Sequence, residues 1–310
     1  MMDEITTRDA FGIALERAGK KFGNLIAIGA DTTKSMGFTR FMEKYPERSL
    51  NIGIAEQNMA LAAAGAAACG AKVVIATYAT FASMRICEMV RTFICYPKLD
   101  VKIIAGLGGL AGDIEGVTHQ GIEDIGVLRS IADLVIVVPA DATATEVIAE
   151  KLLDYTGPAY IRIGRGSVEK VFDEDYDFEI GKANVIKSHG KAAALFCNGV
   201  AVARTIKAAD ILEEKGISCR VIEMPCVKPI DKESVIAAAN ECGLIVTVEE
   251  HNVIGGLGSA VCEVVCSECP TKVVRIGIDD MYTESAPHGD LLDKYNLAPL
   301  HISEEVMANL

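Results

Sequence analysis

The stretch from Ile54 to Gly106, IAEQNMALAAAGAAACGAKVVIATYATFASMRICEMVRTFICYPKLDVKIIAG, decides the fold. Residues Ile54–Gly70 are small and apolar with helical spacing. KVVIAT (72–77) is a short β-branched run, Thr80–Tyr96 reads as a second helix, and VKIIAG (101–106) as a second buried strand. Continuous apolar runs of this length, separated by helical periods, indicate parallel strands covered on both faces. The stretch also holds the most apolar run of the chain, Met59–Met84. Lys72 interrupts that run, and Ala and Gly dominate it rather than Leu or Ile. A bilayer span needs about 20 strongly apolar residues. A tightly packed helix followed by a buried strand is therefore expected, with no membrane contact.

The same alternation extends outward. LIAIG (25–29), LVIVVP (134–139) and PAYIRIG (158–164) read as further strands. Thr7–Phe22, Gly121–Asp133 and Ala142–Tyr155 read as helices, the last with Thr143 and Glu146 at capping-box spacing. Strands alternating with helices imply βαβ crossovers and an α/β fold built on a doubly wound, mostly parallel sheet. After Arg165 the texture changes. The acidic run Asp173–Asp177 reads as an exposed linker. Alternation then restarts with AALFC (193–197), Val200–Lys215, SCRVIEM (218–224), Asp231–Cys242, LIVTVEE (244–250), Leu257–Ser267 and KVVRIGI (272–278). The expected organisation is a first domain at 1–170, a linker at 171–190 and a smaller α/β domain at 191–310.

Composition narrows the classes of function. The chain has 310 residues, half of them hydrophobic, which excludes a disordered protein. Lys and Arg number 30 against 43 Asp and Glu, a net charge of −13 that disfavours nucleic acid as a partner. The start, MMDEITTRDAFG, carries acids where an export signal carries a basic head, so a cytoplasmic location is expected. Ten cysteines scattered through apolar segments then read as reduced core thiols.

Several features could carry chemistry. Gly106–Gly112 and Gly255–Gly258 are glycine-rich but lack dinucleotide or P-loop spacing, so tight turns are preferred. Cys262, Cys266 and Cys269 have ligand-like spacing, yet two of them share one face of an apolar helix, and small core thiols are preferred. Glu56 is different. It opens a helix with no further charge before Lys72, so that helix offers it no ionic partner. An acid at a helix N-terminus can be purely structural. An acid desolvated in a core is a functional candidate. Tyr78, Phe81 and Met84 recur every three residues, either as a core stripe or as a flat wall for an aromatic ligand. The segment Gly112–Asp124 places His119 among acids on a loop after a strand, where open α/β sheets bind ligands.

Taken together, these motifs resemble the C-terminal half of transketolase, a thiamine-diphosphate enzyme. TTRDAF, ADTTKS (30–35), GIAEQNM (53–59), TYATF (77–81), GVTHQGIED (116–124) and VVPAD (137–141) occur in that family's order. VTVEEHNVIGGLGSA (246–260) and GDLLDKYNL (289–297) resemble its third domain. The resemblance implies a pyrimidine-binding domain followed by a transketolase C-terminal domain. It implies that Glu56 hydrogen-bonds a ring nitrogen of the aminopyrimidine, that Tyr78, Phe81 and Met84 line the ring pocket, and that Asp31 lies near the cofactor. His119 would contact the reacting oxygens of the substrate and move protons. Arg8, Ser35 and Arg165 would gather a sugar phosphate. Leu107 stands where the family has a further phosphate-binding histidine, and Glu115 stands for an aspartate that reads a substrate hydroxyl.

The family's front half, with a Gly-Asp-Gly motif that holds the diphosphate and a divalent metal (Mg²⁺ or Ca²⁺), has no counterpart in this sequence. The resemblance therefore implies a separate N-terminal subunit, a heterotetramer, and transfer of a two-carbon ketol unit between a ketose and an aldose phosphate. Three alternatives stay open: a reaction like that of 1-deoxyxylulose-5-phosphate synthase, one like that of a 2-oxo-acid dehydrogenase β subunit, and a non-catalytic paralogue.

Overall fold

The computed structural model describes residues 5–166 and 168–310. The first strands in the chain are β1 (Leu25–Gly29), β2 (Ser49–Asn51), β3 (Lys72–Tyr78), β4 (Val101–Gly106), β5 (Val135–Val137) and β6 (Ala159–Arg162). They are followed by β7 (Asn184–Lys187), β8 (Ala194–Cys197), β9 (Arg220–Glu223), β10 (Cys226–Lys228), β11 (Leu244–Asn252) and β12 (Lys272–Ile278). Seven strands form one sheet in the order β10-β5-β6-β4-β3-β1-β2. All of its neighbours are parallel except the β10–β5 pair. Five strands form a second sheet, β12-β11-β8-β9-β7, with only β7 antiparallel to its neighbour.

The central strands are apolar throughout because both faces are covered. Val73 and Ile75 enter one core with Met59, Ala60 and Ala63 of the helix Glu56–Ala68. Val74 and Ala76 enter the opposite core with Phe11 and Leu15 of the helix Thr7–Lys21 and with Ile148 and Leu152 of the helix Ala142–Asp154. Each fully buried aliphatic side chain contributes about 1.5–3 kcal/mol. No helix among the described residues is long and apolar enough to cross a membrane.

Several local expectations are corrected. The helix Ala142–Asp154 is capped by Asp141, whose Oδ1 accepts from the Ala144 N–H at 2.8 Å, and not by a box at Thr143. Glu146 instead pairs with Arg17. Asp141 Oδ2 also accepts from the N–H groups of Val171 and Phe172 at 2.7 and 2.8 Å. The linker is thus strapped down rather than free. Its acids Asp173, Glu174, Asp175 and Asp177 face water, while Phe178 is buried and the Tyr176 hydroxyl donates to Glu223. Thr80–Tyr96 is not one helix. It breaks at Ile86 into Ala79–Met84 and Cys87–Met89 and then widens into a π-helical turn at Val90–Cys95. Of the helix expected over Gly121–Asp133, only Asp124–Arg129 is helical. Finally, β10 runs back from beyond the linker and extends the first sheet.

The two units meet through a mixed core and a buried polar seam. Leu110, Ile122 and Ala140 pack with Leu195, Val246 and Ile278 of the second sheet. Arg162 donates to Asp124 at 3.1 Å and to the Glu250 carbonyl at 2.8 Å, and the Tyr160 hydroxyl donates to Asp124 at 2.6 Å. All of these side chains are buried. Removing one member of such a pair would leave a charge buried and unpaired, at a cost of about 3–5 kcal/mol.

Candidate active site

The candidate residues gather beyond the carboxyl ends of β1, β3, β4 and β6, the edge of an open α/β sheet that takes ligands. Tyr78 ends β3 and precedes the short helix Ala79–Met84. In that helix Ala79, Ala82 and Ser83 face the core; Tyr78 packs against a core edge, while Phe81 and Met84 join no core, so the three do not form one core stripe. Tyr78 and Phe81 are part-buried, and Met84 is half-exposed on the last turn. The Tyr78 and Phe81 ring centroids lie 5.7 Å apart. The His119 ring stands edge-on to both, at 5.6 and 5.5 Å. Three rings thus form one wall. Thr118 Oγ1 lies 3.0 Å from His119 Nδ1, and Ser35 Oγ lies 3.2 Å from the Tyr78 hydroxyl.

The second sheet helps hold the loop that carries His119. Glu250 Oε1 accepts from the Leu110 N–H at 2.7 Å and lies 2.7 Å from His288 Nε2. Burial alone would lower the His288 pKa. The adjacent Glu250 carboxylate outweighs burial and holds it above the ordinary 6.5. Gln120, buried beside His119, donates to the Glu284 carbonyl at 2.9 Å and accepts from the Thr283 hydroxyl.

Glu56 opens the helix Glu56–Ala68 and is 5% exposed. Its own helix offers no ionic partner, as expected, but the next helix does. Arg85, at the C-terminal end of the helix Ala79–Met84, donates from Nη1 to Glu56 Oε1 at 2.7 Å. Its guanidinium carbon also sits 3.7 Å from the centroid of the Phe81 ring. Among the described residues, no three His, Cys, Asp or Glu side chains gather as a metal site, Cys262, Cys266 and Cys269 included.

The remaining candidates form two groups. Arg8, Asp31 and Ser35 line an open cleft of about 740 Å³, joined there by Lys34 and Arg40. Asp31 has left-handed backbone (φ 63°), and its N–H donates to Asn51 Oδ1 at 2.9 Å. Arg8 pairs with Asp9 at 3.2 Å. Arg165 pairs with Glu115 at 2.5 Å, so two residues expected to read separate parts of a substrate hold each other. Leu107 is buried, also with positive φ (56°), and offers no group to an anion.

Arg85 was not singled out from the sequence. Its spacing of four from Phe81 within a helical stretch is the signal that could have found it. It also supplies a test of what the pocket accepts. A flat cation with N–H donors already lies on Phe81 and donates to Glu56. A planar ring protonated at a ring nitrogen presents the same face and an N–H donor of the same kind, so Glu56, Phe81 and Tyr78 fit the pyrimidine half of thiamine diphosphate.

Residues 3–170 match the transketolase pyrimidine-binding domain, and residues 181–302 match the transketolase C-terminal domain. The chain belongs to the transketolase family. A protein provisionally named a transketolase C-terminal section, from Methanocaldococcus jannaschii, is 37% identical over 306 residues, spanning 98% of this chain and 96% of that one. A 6-deoxy-6-sulfo-D-fructose transketolase subunit of Clostridium sp. is 32% identical, spanning 97% and 93%. A solved split-gene transketolase, described as an inactive β4 tetramer, superposes with a TM-score of 0.91 at 41% identity and covers 98% of each chain. Every candidate residue, from Arg8 to Arg165, falls inside the transketolase pyrimidine-binding domain.

Proposed function

We propose that this chain is the catalytic C-terminal subunit of a split, thiamine-diphosphate-dependent transketolase. It would supply the ring half of a cofactor site completed by an N-terminal subunit. One observation carries the reading: Glu56 and the face of Phe81 jointly hold a planar N–H donor, with Tyr78 and His119 beside it. The partner would hold the diphosphate and Mg²⁺ or Ca²⁺, with both chains assembling as a heterotetramer in the cytoplasm.

Bound thiamine diphosphate supplies the carbanion chemistry needed to break and form a carbon–carbon bond beside a carbonyl. Around it each residue of this chain has a bounded task. Glu56, little exposed to water, accepts the N–H of the pyrimidine ring and fixes its protonation at that nitrogen. Phe81 and Tyr78 hold the ring's plane and exclude water from one side, with Met84 at the pocket's outer rim. Asp31 lies on the cofactor's flank. His119 exchanges a proton with the reacting oxygen of the sugar. Arg8, Ser35 and Arg165 gather the anionic end of the sugar, and Glu115 reads a substrate hydroxyl.

The test is reconstitution. The chain is mixed with its N-terminal subunit, thiamine diphosphate and Mg²⁺, and ketose phosphates are offered as donors with aldose acceptors. The expected product pair is an aldose two carbons shorter and a ketose two carbons longer. With pyruvate offered as donor beside an aldose phosphate, carbon dioxide release coupled to formation of a 1-deoxyketose phosphate would assign the synthase-type reaction instead.

A further inference from the structure

We infer that Arg85 is an internal occupant of the ring pocket, and that binding of the cofactor is an exchange in which Arg85 is displaced. The inference rests on the cofactor reading above. Arg85 makes both contacts that reading assigns to the aminopyrimidine. Its Nη1 donates to Glu56 Oε1 at 2.7 Å, and its guanidinium carbon lies over the Phe81 ring, 3.7 Å from the centroid. A guanidinium is flat, delocalised and rich in N–H donors, so it imitates a heterocycle that carries a proton on a ring nitrogen where a lysine could not. That ring face has room for one flat group, so Arg85 and the pyrimidine cannot occupy it together.

The two partners are unequal, which gives the exchange a direction. The Glu56 side chain is 7% exposed, whereas that of Arg85 is 47% exposed. Glu56 cannot follow Arg85 into water, and a carboxylate left buried without a partner is unfavourable. Arg85 loses little by leaving, because half of it is already hydrated. The acid is satisfied by one donor or the other. The Arg85 carbonyl, held by Gln57 Nε2 at 3.2 Å, keeps the residue's backbone beside the pocket while its side chain moves. Apparent cofactor affinity is then the intrinsic affinity multiplied by the fraction of molecules in which Arg85 is out.

The experiment is calorimetric titration of thiamine diphosphate, at saturating Mg²⁺, into the full chain mixed with its N-terminal subunit. R85M keeps the apolar stem and removes the donors; R85L serves if R85M fails to fold. Either variant is expected to bind the cofactor about fivefold to tenfold more tightly than wild type, the gain from relieving a contact of cation–π and half-exposed ion-pair strength. In the full chain alone, Arg85 should react slowly with phenylglyoxal, and E56Q should speed that reaction. Unchanged or weakened cofactor binding in R85M and R85L overturns the exchange. E56Q run in the same titration separates the two ideas. If E56Q weakens binding while R85M and R85L leave it unchanged, only the exchange is wrong. If E56Q also binds as wild type does, the cofactor reading itself is wrong.

Discussion

Glu56 is conspicuous in the sequence because no other charge follows it before Lys72. Its partner is not, because Arg85 lies 29 residues away on the next helix. Local windows expose an odd residue; they do not expose what it touches. The same limit applies to Glu115 and Arg165, 50 positions apart in the chain and 2.5 Å apart in space. Each is nameable from the family's pattern, but their mutual ion pair is not. That pair carries its own consequence. A substrate phosphate must compete with Glu115 for the Arg165 guanidinium. Glu115→Gln should therefore improve kcat/KM for a phosphate-ended ketose by about twofold to fivefold, the weight of an exposed ion pair. An unphosphorylated analogue should gain nothing. Measuring both substrates with both proteins checks the difference.

At the scale of elements, strand identity was legible because a buried parallel strand is a continuous apolar run, and β3, β4 and β11 fall where such runs do. Helix ends and breaks were less legible. Asp141 is the cap rather than Thr143 because it is already extended and can serve three N–H groups at once, two of them from the linker. That strap also explains Glu223 on β9. Burial pushes its carboxyl up from the ordinary 4.5 to about 7; hydrogen bonds from Asn184 and Tyr176 oppose the shift, and the charge of Asp141 adds to it. The sign follows. A raised folded-state pKa means the native state binds the proton more tightly than the unfolded chain does. The resulting stabilisation is full below about 4.5 and is lost as pH rises through about 7. Glu223→Gln should remove that slope and make the protein relatively more stable at pH 8 than wild type. Urea unfolding at pH 5 and pH 8 measures it.

At the scale of the molecule, the second unit is no appendage. Glu250, Thr283 and Glu284 reach across the seam to hold the loop bearing His119, and Asp124, Tyr160 and Arg162 are buried against β11. This was invisible in a reading that treated the halves as successive runs of strands and helices, because every one of these contacts joins positions far apart in the chain. The account's central claim is that Glu56 serves the cofactor of a two-chain transketolase. It is tested most directly by ketol transfer from a ketose phosphate in mixtures of the N-terminal subunit with wild-type or Glu56→Ala chain, with assembly followed by sedimentation. The account predicts no turnover by either subunit alone, turnover by the wild-type mixture, and a loss of several orders of magnitude in an assembled Glu56→Ala mixture. Full activity of that variant, or ketol transfer by this chain without its partner, would contradict it.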